Sequence, residues 1–355
     1  MTPRFHRLAI AEVRRETADA VSLRFAVPDE LREAFRFVQG QHVALRTTLD
    51  GVEVRRNYSI CAGVDDGELR VAVKAVPGGV FSTWANRHLA AGDLMDVMTP
   101  EGRFHVPLDA SRVSHHAAFA AGSGITPILS LARTTLAREP LSRFTLVYGN
   151  RSLADALFQE TLEDLKDRYL GRFVLINLFS REPQEVELFN GRLDAAKVAA
   201  LARSLLPLDT VDEAFVCGPG AMIDVVEAAL LAGGVPAGHV HVERFGVPAA
   251  APAHRAQPGD AAGARITVIA DGVRRELPFR VGDASILEAA MGAGMNLPYS
   301  CKGGMCCTCR ARVLEGKVRM DRNYSLEAAD VERGFVLTCQ SHPLTETVVL
   351  SFDER

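Results

Sequence analysis

Apolar and polar residues alternate with the period of a β-strand over the first part of the chain. Short alternating runs at residues 20–27, 42–47 and 69–76 are separated by turn signals, among them Asp50-Gly51 and Asp66-Gly67. Many short strands joined by tight turns are typical of a small closed barrel. We therefore predict an antiparallel β-barrel over residues 1–110.

The pattern then changes to strands that alternate with helices. Apolar runs typical of buried strands occur at residues 116–121, 144–148, 173–179 and 214–217, with a further candidate at 239–243. Helical periodicity lies near residues 128–138, 153–167, 195–205 and 222–231. Because this alternation is typical of a parallel sheet, we predict an α/β domain over residues 111–246.

A stretch rich in Pro, Ala and Gly follows at residues 247–264, and its composition predicts a semi-stiff linker. Beyond it, runs at 266–270 and 273–279 flank Asp271-Gly272, a strong hairpin signal. Ser285 and Glu288 have the spacing of a capping box for a helix that reaches about residue 293. Residues 265–355 are therefore predicted to form a third, α+β domain.

Composition and charge exclude several classes of protein. The 355 residues are 48% hydrophobic and 24% charged, with a net charge of −4. This balance is ordinary for a globular chain of several domains, and it lacks the excess of positive charge that is typical of nucleic-acid-binding proteins. We expect no signal peptide and no spanning helix, because the chain opens with polar alternation. Seven cysteines, four of them grouped as ligands, favour a reducing, cytoplasmic setting.

The last domain contains the most specific chemistry of the chain. Three cysteines there, Cys301, Cys306 and Cys309, have a C-x4-C-x2-C spacing, and a fourth, Cys339, lies further along the chain. This set is typical of the ligands of a plant-type [2Fe–2S] cluster. Gly303 and Gly304 allow backbone amides to approach the sulfides closely. The alternatives are a zinc knot, although only one C-x2-C pair is present, and a chance group of buried cysteines. Cys307, between two candidate ligands, is predicted to pack inward, the alternative being a spare ligand.

Two stretches of the barrel contain residue types that a flavin needs. Arg56 and Tyr58 share one face of a predicted strand and could supply a cation and a flat aromatic ring. Gly78-Gly79 could open a helix whose free amides receive a phosphate. Taken alone, an ordinary solvated Arg–Tyr pair and a plain helix start explain the same residues.

The α/β region contains two glycine-bearing loops after predicted strands. Gly122 and Gly124 allow a tight strand-to-helix turn, although the third glycine of the dinucleotide fingerprint is missing. Cys217-Gly218-Pro219 follows a later strand. Each loop also fits a plain structural turn. Since ligands bind at the carboxyl edge of such sheets, the two loops could flank one dinucleotide.

Three motifs, in the order Arg56-x-Tyr58-Ser59, Gly122-x-Gly124-x-x-Pro127 and Cys217-Gly218-Pro219, resemble the ferredoxin–NADP(+) reductase superfamily. The C-terminal ferredoxin pattern narrows the resemblance to reductase components of bacterial multicomponent oxygenases. Residues 297–311, 320–324 and 334–343 look like the reductase subunits of 1,2-phenylacetyl-CoA epoxidase complexes. The resemblance covers essentially the whole chain. It implies an FAD-binding barrel, an NAD(P)H-binding α/β domain and a β-grasp ferredoxin-like domain.

The resemblance also implies roles for individual residues on the flavin side. The flavin ring would be held by Arg56, Tyr58 and Ser59, and Phe245 would cover it. Its phosphates would meet a stretch that contains Lys74, Val76, Gly79, Ser82 and Thr83. The reacting atoms would lie near Ser59, Cys217 and Glu243.

On the nucleotide side, the pyrophosphate of the nicotinamide cofactor would meet Gly122, Gly124, Thr126, Gly218 and Pro219. Ser180 and Arg181 resemble the segment that binds an adenosine 2′-phosphate, and Arg151 is a second candidate. A guanidinium binds a phosphate dianion bidentately and gains much less from a hydroxyl. NADPH is therefore expected in preference to NADH.

The resemblance implies an electron-transfer reductase. NADPH would pass hydride to FAD, and single electrons would pass through the cluster to a di-iron oxygenase that epoxidises the phenyl ring of phenylacetyl-CoA. One alternative keeps the electron chain but serves a Rieske or another di-iron hydroxylase. Another is a redox-sensing subunit that binds flavin and cluster without turnover.

Overall fold

The computed structural model of the chain describes residues 4–245 and 257–354, which form two compact units. The barrel and the α/β domain make up one unit, and the C-terminal domain belongs to the other. The predicted three-part architecture, an antiparallel barrel, a parallel α/β sheet and an α+β domain, is confirmed.

The barrel consists of six strands in the order β4-β3-β6-β1-β2-β5. Their bounds are β1 Phe5–Thr17, β2 Ala20–Ala26, β3 His42–Leu49, β4 Val52–Ser59, β5 Leu69–Lys74 and β6 Leu94–Met98. An antiparallel bridge between Ile60 and Val71 joins the two outer strands, so the sheet closes on itself. Apolar side chains of alternating positions fill the interior, for example Leu23, Val43 and Val71. One helix, α1 Val80–His88, follows β5.

The α/β domain has a parallel five-stranded sheet in the order β11-β10-β7-β8-β9. Its strands are β7 His115–Ala121, β8 Arg143–Asn150, β9 Phe173–Phe179, β10 Glu213–Gly218 and β11 Val240–Arg244. Its helices are α2 Ile125–Arg138, α3 Gln159–Arg168, α4 Ala195–Ser204 and α5 Gly220–Ala232. The order reverses around β7, so the loops after β7 and β10 meet at a ligand-binding edge.

The prediction of one helix over residues 153–167 is wrong in its first part. Residues Leu153–Asp155 form a short 3-10 turn, and α3 begins only at Gln159. Phe158 adopts a left-handed conformation with φ of 59°, which interrupts the helix. The amide of Leu157 donates to the hydroxyl of Tyr148 instead of to a helical carbonyl. A tertiary hydrogen bond thus overrides the local periodicity.

The C-terminal domain has a five-stranded mixed sheet in the order β13-β12-β18-β14-β16 and a two-stranded ribbon, β15-β17. The strands are β12 Arg265–Ala270, β13 Val273–Pro278, β14 Arg310–Glu315, β15 Val318–Met320, β16 Phe335–Leu337, β17 Ser341–Pro343 and β18 Thr347–Ser351. The helices are α6 Ile286–Gly292 and α7 Ala328–Glu332. Ser285 caps α6 by accepting from the amide of Glu288, as predicted. The carboxylate of Glu288 pairs with Lys302 at 2.6 Å instead of closing a capping box.

Most of the predicted linker, residues 247–256, lies outside the described residues, as does residue 246 before it. Its last part is described and makes contacts within the C-terminal domain. Asp260 accepts two hydrogen bonds from Arg319, at 2.6 and 2.7 Å, and the amide of Ala261 donates to the carbonyl of Pro343. Residues 257–264 are therefore attached to this domain.

Throughout the described ranges, every helix lacks either the length or the apolar character that a membrane crossing requires.

Candidate redox sites

A large cleft lies at the junction of the barrel and the α/β domain. Its volume is about 1870 Å³, above the roughly 300–1,000 Å³ of a pocket for one small ligand. Eight predicted binding residues line it: Lys74, Val76, Gly79, Thr83, Gly122, Arg151, Ser180 and Pro219. The other predicted flavin and nucleotide residues are not among those that line it: Arg56, Tyr58, Ser59, Ser82, Gly124, Thr126, Arg181, Cys217, Gly218, Glu243 and Phe245.

Arg56, Tyr58 and Ser59 all lie on β4, where they differ in exposure. Arg56 is exposed, Tyr58 is half-buried and Ser59 is buried. The ring of Tyr58 lies 5.5 Å from that of Phe81, at the start of α1. This contact fixes one face of an aromatic ring of the kind that stacks on a flavin.

Ser59 connects the barrel to the last strand of the α/β sheet. Its hydroxyl donates to a carboxylate oxygen of Glu243 at 3.1 Å. Burial raises the pKa of Glu243 to about 7, an effect that the Ser59 hydrogen bond partly offsets. Cys217 lies directly beside Glu243 in the register of β10 and β11. Burial, and then the nearby carboxyl, raises the pKa of this thiol well above its usual value, so Cys217 stays neutral.

The two glycine-bearing loops of the α/β domain touch each other. A Cβ on Gly124 would lie 2.1 Å from the carbonyl oxygen of Cys217, so no other residue fits without a shift. Gly122 has φ of +54°, the left-handed region that favours glycine. Since Gly122 and Pro219 both line the cleft, the loops form one surface at the carboxyl edge of β7 and β10.

Gly79 forms the N-terminal cap of α1, so the predicted start of a helix after Gly78-Gly79 is confirmed. The amide of Val76 donates to the hydroxyl of Ser82 at 3.1 Å, which stabilises the turn before the helix. Amides in the first turn of a helix lack partners within it and favour a phosphate. Because Gly79 and Thr83 line the cleft, this phosphate-compatible terminus faces it.

The predicted 2′-phosphate residues are divided between the cleft and its surroundings. Ser180 and Arg151 line the cleft, whereas Arg181 is exposed and outside its lining. Arg151 forms an ion pair with Asp155 and lies 3.7 Å from Asp19. Arg192 also lines the cleft, although the sequence patterns did not predict it as a binding residue. The only nearby sequence feature that could have pointed to Arg192 is the Asn190-Gly191 turn. There Asn190 forms a β-bridge with Phe179 at the end of β9, and Gly191 has φ of +101°.

The four predicted ligand thiols lie in two pairs in the C-terminal domain. The neighbouring Cys306 thiol lowers the pKa of Cys301, and the neighbouring Cys309 thiol lowers that of Cys339, so each pair lies close enough to interact. The described residues contain no group of three or more Cys, His, Asp or Glu around a single ion position. Two thiols for each of two irons is the arrangement of a [2Fe–2S] cluster, so these residues fit that group.

Backbone geometry around these thiols also fits a cluster. Gly304 has φ of +80°, and a Cβ there would lie 3.2 Å from the carbonyl oxygen of Arg322. The amide of Gly303 donates to the sulfur of Cys301 at 3.3 Å. The Cys306 thiol, and then backbone amides that include that of Gly303, lower the pKa of Cys301 below its usual value. Cys307 packs against the core, and its thiol donates to the carbonyl of Ser325.

Comparisons with known proteins agree with this division of the chain. Residues 7–106 match the model described as an oxidoreductase FAD-binding domain, and 119–228 match an oxidoreductase NAD-binding domain. Residues 268–344 match a 2Fe-2S iron-sulfur cluster binding domain. Over 99% of its length, and 98% of the relative's, the chain is 47% identical to one of the subunits of 1,2-phenylacetyl-CoA epoxidase from Escherichia coli. The chain belongs to the iron–sulfur flavoprotein reductases of oxygenase systems.

A second relative of this reductase is the ferredoxin reductase component of 3-ketosteroid-9-alpha-monooxygenase from Rhodococcus rhodochrous, at 34% identity over 97% of this chain and 96% of that one. Phthalate dioxygenase reductase, whose structure is described as modular for electron transfer from pyridine nucleotides to [2Fe–2S], covers 98% of both chains with 25% identity and a TM-score of 0.58. The reductase transfers electrons from NAD(P)H through FAD to a [2Fe–2S] cluster. The predicted family, FAD and the cluster are confirmed.

Proposed function

We propose that this reductase supplies electrons to the di-iron oxygenase component of a 1,2-phenylacetyl-CoA epoxidase. One observation carries the proposal, namely 47% identity along almost the whole chain to one of the subunits of that enzyme. The ketosteroid monooxygenase reductases match over the same length at only 34–35%. None of the seven cysteines of the described residues forms a disulfide, and four of them are the proposed cluster ligands, which favours a reducing cytoplasmic setting.

The proposal keeps the predicted domains. An FAD-binding barrel spans residues 1–110 and an NAD(P)H-binding α/β domain spans 111–246. The linker is kept at 247–264, although residues 257–264 contact the ferredoxin domain, which is assigned to 265–355. The matches at 7–106, 119–228 and 268–344 support these three functional parts.

Each cofactor has its own set of residues in this proposal. FAD is held by Arg56, Tyr58, Ser59, Lys74, Val76, Gly79, Ser82, Thr83 and Phe245. The nicotinamide nucleotide meets Gly122, Gly124, Thr126, Arg151, Ser180, Arg181, Gly218 and Pro219. The cluster is held by Cys301, Cys306, Cys309 and Cys339.

When bound, FAD accepts an electron pair from NAD(P)H and releases electrons singly to the cluster. The protein orients the two dinucleotides in one cleft and keeps water away, which lowers the entropic cost of reaction. Glu243, with its pKa of about 7, can hold or release a proton near neutral pH, and the Ser59 hydroxyl is placed to pass it on. The buried, neutral Cys217 thiol lies beside this carboxyl and excludes water from that side of it.

We further propose that NADPH is preferred over NADH. Arg151 and Arg192 bring two guanidinium groups to the cleft beside Ser180, and the exposed Arg181 is on the adjoining loop. Guanidinium groups bind a phosphate dianion with charge-assisted, bidentate hydrogen bonds. They gain much less from the 2′-hydroxyl of NADH.

The first experiment is anaerobic stopped-flow absorbance after mixing the purified protein with NADPH and, separately, with NADH. We expect fast bleaching of flavin absorbance, followed by slower loss of cluster absorbance, with NADPH the faster donor. Equal rates with both nucleotides would contradict the NADPH preference. Absence of bleaching with either would favour the redox-sensing alternative.

The second experiment tests the acceptor. The reduced protein is mixed with the oxygenase component of the Escherichia coli epoxidase, phenylacetyl-CoA and oxygen, and epoxide formation is measured. A Rieske monooxygenase component with its own substrate serves as the matched comparison. Turnover with the Rieske component and none with the epoxidase would contradict the proposal and favour the alternative acceptor.

A further inference from the structure

The side chain of Gln340 follows the fourth cluster thiol directly and is fully buried. Its Nε2 atom lies 2.9 Å from the carbonyl oxygen of Lys302 and 3.0 Å from that of Cys339. The same nitrogen lies 3.4 Å from the sulfur of Cys339. All three neighbours are acceptors, so only the NH₂ end of the amide can face them. The surroundings therefore fix the orientation of this side chain.

The other end of the amide is unsatisfied. Oε1 of Gln340 is buried and has no hydrogen-bond partner among the residues that the structure describes. Burying a carbonyl without a donor is unfavourable, and most buried polar side-chain atoms have a hydrogen-bond partner. The hydrogen bonds that the NH₂ group donates therefore have to offset the free-energy cost of burying Oε1 without a partner. This asymmetry indicates that the N–H groups of Gln340, and not its carbonyl, make the contacts of this side chain.

Gln340 also joins the two chain segments that supply the cluster thiols. Lys302 lies in the loop that carries three of them and has a left-handed conformation with φ of 49°, unusual for a lysine. The hydrogen bond from Gln340 holds the carbonyl of that strained residue. One N–H serves Lys302, and the second lies between the carbonyl oxygen and the sulfur of Cys339. Once the thiol has become a metal-bound thiolate, its negative charge strengthens it as an acceptor.

We propose that Gln340 raises the reduction potential of the [2Fe–2S] cluster by donating an N–H to the sulfur of Cys339. Reduction adds one electron, which converts one ferric iron to ferrous and increases the negative charge spread over the ligand sulfurs. A donor to such a sulfur stabilises the reduced state more than the oxidised state. Gln340 is thus a positioning and tuning residue, not an iron ligand. This inference rests on the proposed role of Cys339 as a ligand.

The test replaces Gln340 by Met, which has similar length and no donor, and compares reductive titrations with dithionite. Cluster reduction is followed by electron paramagnetic resonance, and iron and sulfide contents are measured on the same samples. In Gln340→Met we expect the ratio of oxidised to reduced cluster at a fixed potential to rise about tenfold, which is a midpoint lower by about 59 mV for one electron. Gln340→Glu should lower the midpoint further, because a carboxylate opposes the added charge.

Thr338→Val is the matched control. The hydroxyl of Thr338 is buried in the same turn and donates to the carbonyl of Cys309 at 2.9 Å, without contacting a sulfur. This variant loses a buried hydrogen bond beside the cluster and should keep the wild-type midpoint. An unchanged midpoint in Gln340→Met, or an equal drop in Thr338→Val, would overturn the proposal.

A measurement on the wild-type protein covers the case in which the Gln340 variants fail to fold. Protein labelled with ¹⁵N in glutamine side chains should show a ¹⁵N coupling in pulsed resonance spectra of the reduced cluster, and its absence would count against the N–H···S contact. Cys339→Ser distinguishes a failure of the ligand assignment from a failure of the tuning role of Gln340. A cluster spectrum unchanged by Cys339→Ser overturns the ligand assignment itself, whereas a changed spectrum with an unaltered Gln340→Met midpoint overturns only the tuning role.

Discussion

The hydroxyl of Ser59 and the carboxylate of Glu243 meet at 3.1 Å, although 184 residues separate them in the chain. Ser59 ends the barrel strand β4, and Glu243 lies on β11 at the edge of the parallel sheet. The pair therefore exists only when the barrel and the α/β domain are both folded and joined. It places a group with a pKa of about 7 at the junction.

This pKa gives a pH dependence with a defined sign. With a pKa of about 7, Glu243 loses its proton as the pH rises through neutrality, and its carboxylate then opposes the negative charge that a flavin gains on reduction. We expect the rate of flavin bleaching by saturating NADPH to fall as the pH rises through about 7. Glu243→Gln should remove this inflection and keep the faster, low-pH rate. Stopped-flow traces over about 1.5 pH units on either side test this.

Ser59→Ala provides a sharper check of the same pair. The hydrogen bond from Ser59 lowers the pKa of Glu243 against the effect of burial, so its loss should move the inflection to higher pH. The absolute rate is expected to fall as well, because Ser59 is proposed to contact the flavin. A shift to lower pH, or an inflection that survives in Glu243→Gln, would show that another group titrates.

The cluster ligands can be separated from the neighbouring thiol by two serine substitutions. Cys301→Ser should abolish the visible absorbance of the cluster, because oxygen replaces one of two thiolates on an iron, and flavin reduction by NADPH should persist. Cys307→Ser is the control, since the Cys307 thiol packs against the core and donates to Ser325. Visible spectra and iron contents measure both. A full cluster in Cys301→Ser would refute the ligand assignment.

Nucleotide preference is expected to depend on the arginines near Ser180. Arg192→Ala and Arg181→Ala should each raise the KM for NADPH about tenfold or more, since a hydrogen bond to a charged group contributes about 1.5–3 kcal/mol. The KM for NADH should change little. Arg203→Ala, an exposed arginine on α4, is the control. If the KM values for both nucleotides change in parallel, the 2′-phosphate is bound elsewhere.

Local spacing in the sequence was enough to predict the cluster site. The C-x4-C-x2-C pattern and the distant Cys339 predict two thiols for each iron, and within the folded domain Cys301 interacts with Cys306 and Cys309 with Cys339. Arg192 could not be found in this way. Its approach to the cleft depends on a bridge between Phe179 and Asn190, a long-range contact that leaves no periodic signal.

The false helix over residues 153–158 has a related cause. The apolar spacing there fits a helix, but the hydroxyl of Tyr148, on a neighbouring strand, accepts the amide of Leu157. Local patterns predict elements well where packing agrees with them, and fail where one tertiary hydrogen bond takes a backbone group away. The hydrogen bond between Ser59 and Glu243 also could not be predicted from local patterns, because it forms only when the barrel and the parallel sheet are assembled.

The contact between the two glycine loops leads to a last prediction. A Cβ on Gly124 would lie 2.1 Å from the carbonyl oxygen of Cys217 and 2.8 Å from the amide nitrogen of Gly218, both rigid backbone atoms. Gly124→Ala must therefore push the ends of β7 and β10 apart, at a cost of about 1–3 kcal/mol. We expect the midpoint of thermal unfolding to fall by roughly 2–10 °C. The KM for NADPH and NADH should rise together, because both nucleotides use this edge.

Gly149→Ala is the matched control for this prediction, since its added Cβ would meet only ordinary contacts, the nearest being the carbonyl oxygen of Ala120 at 3.7 Å. Gly149 lies in β8, the strand next to β7, so both variants add one methyl group to the same region of the sheet. Differential scanning fluorimetry and steady-state kinetics measure the two effects. A Gly124→Ala protein as stable as Gly149→Ala would mean that the loops separate freely, and the close approach would then have no part in forming the nucleotide site.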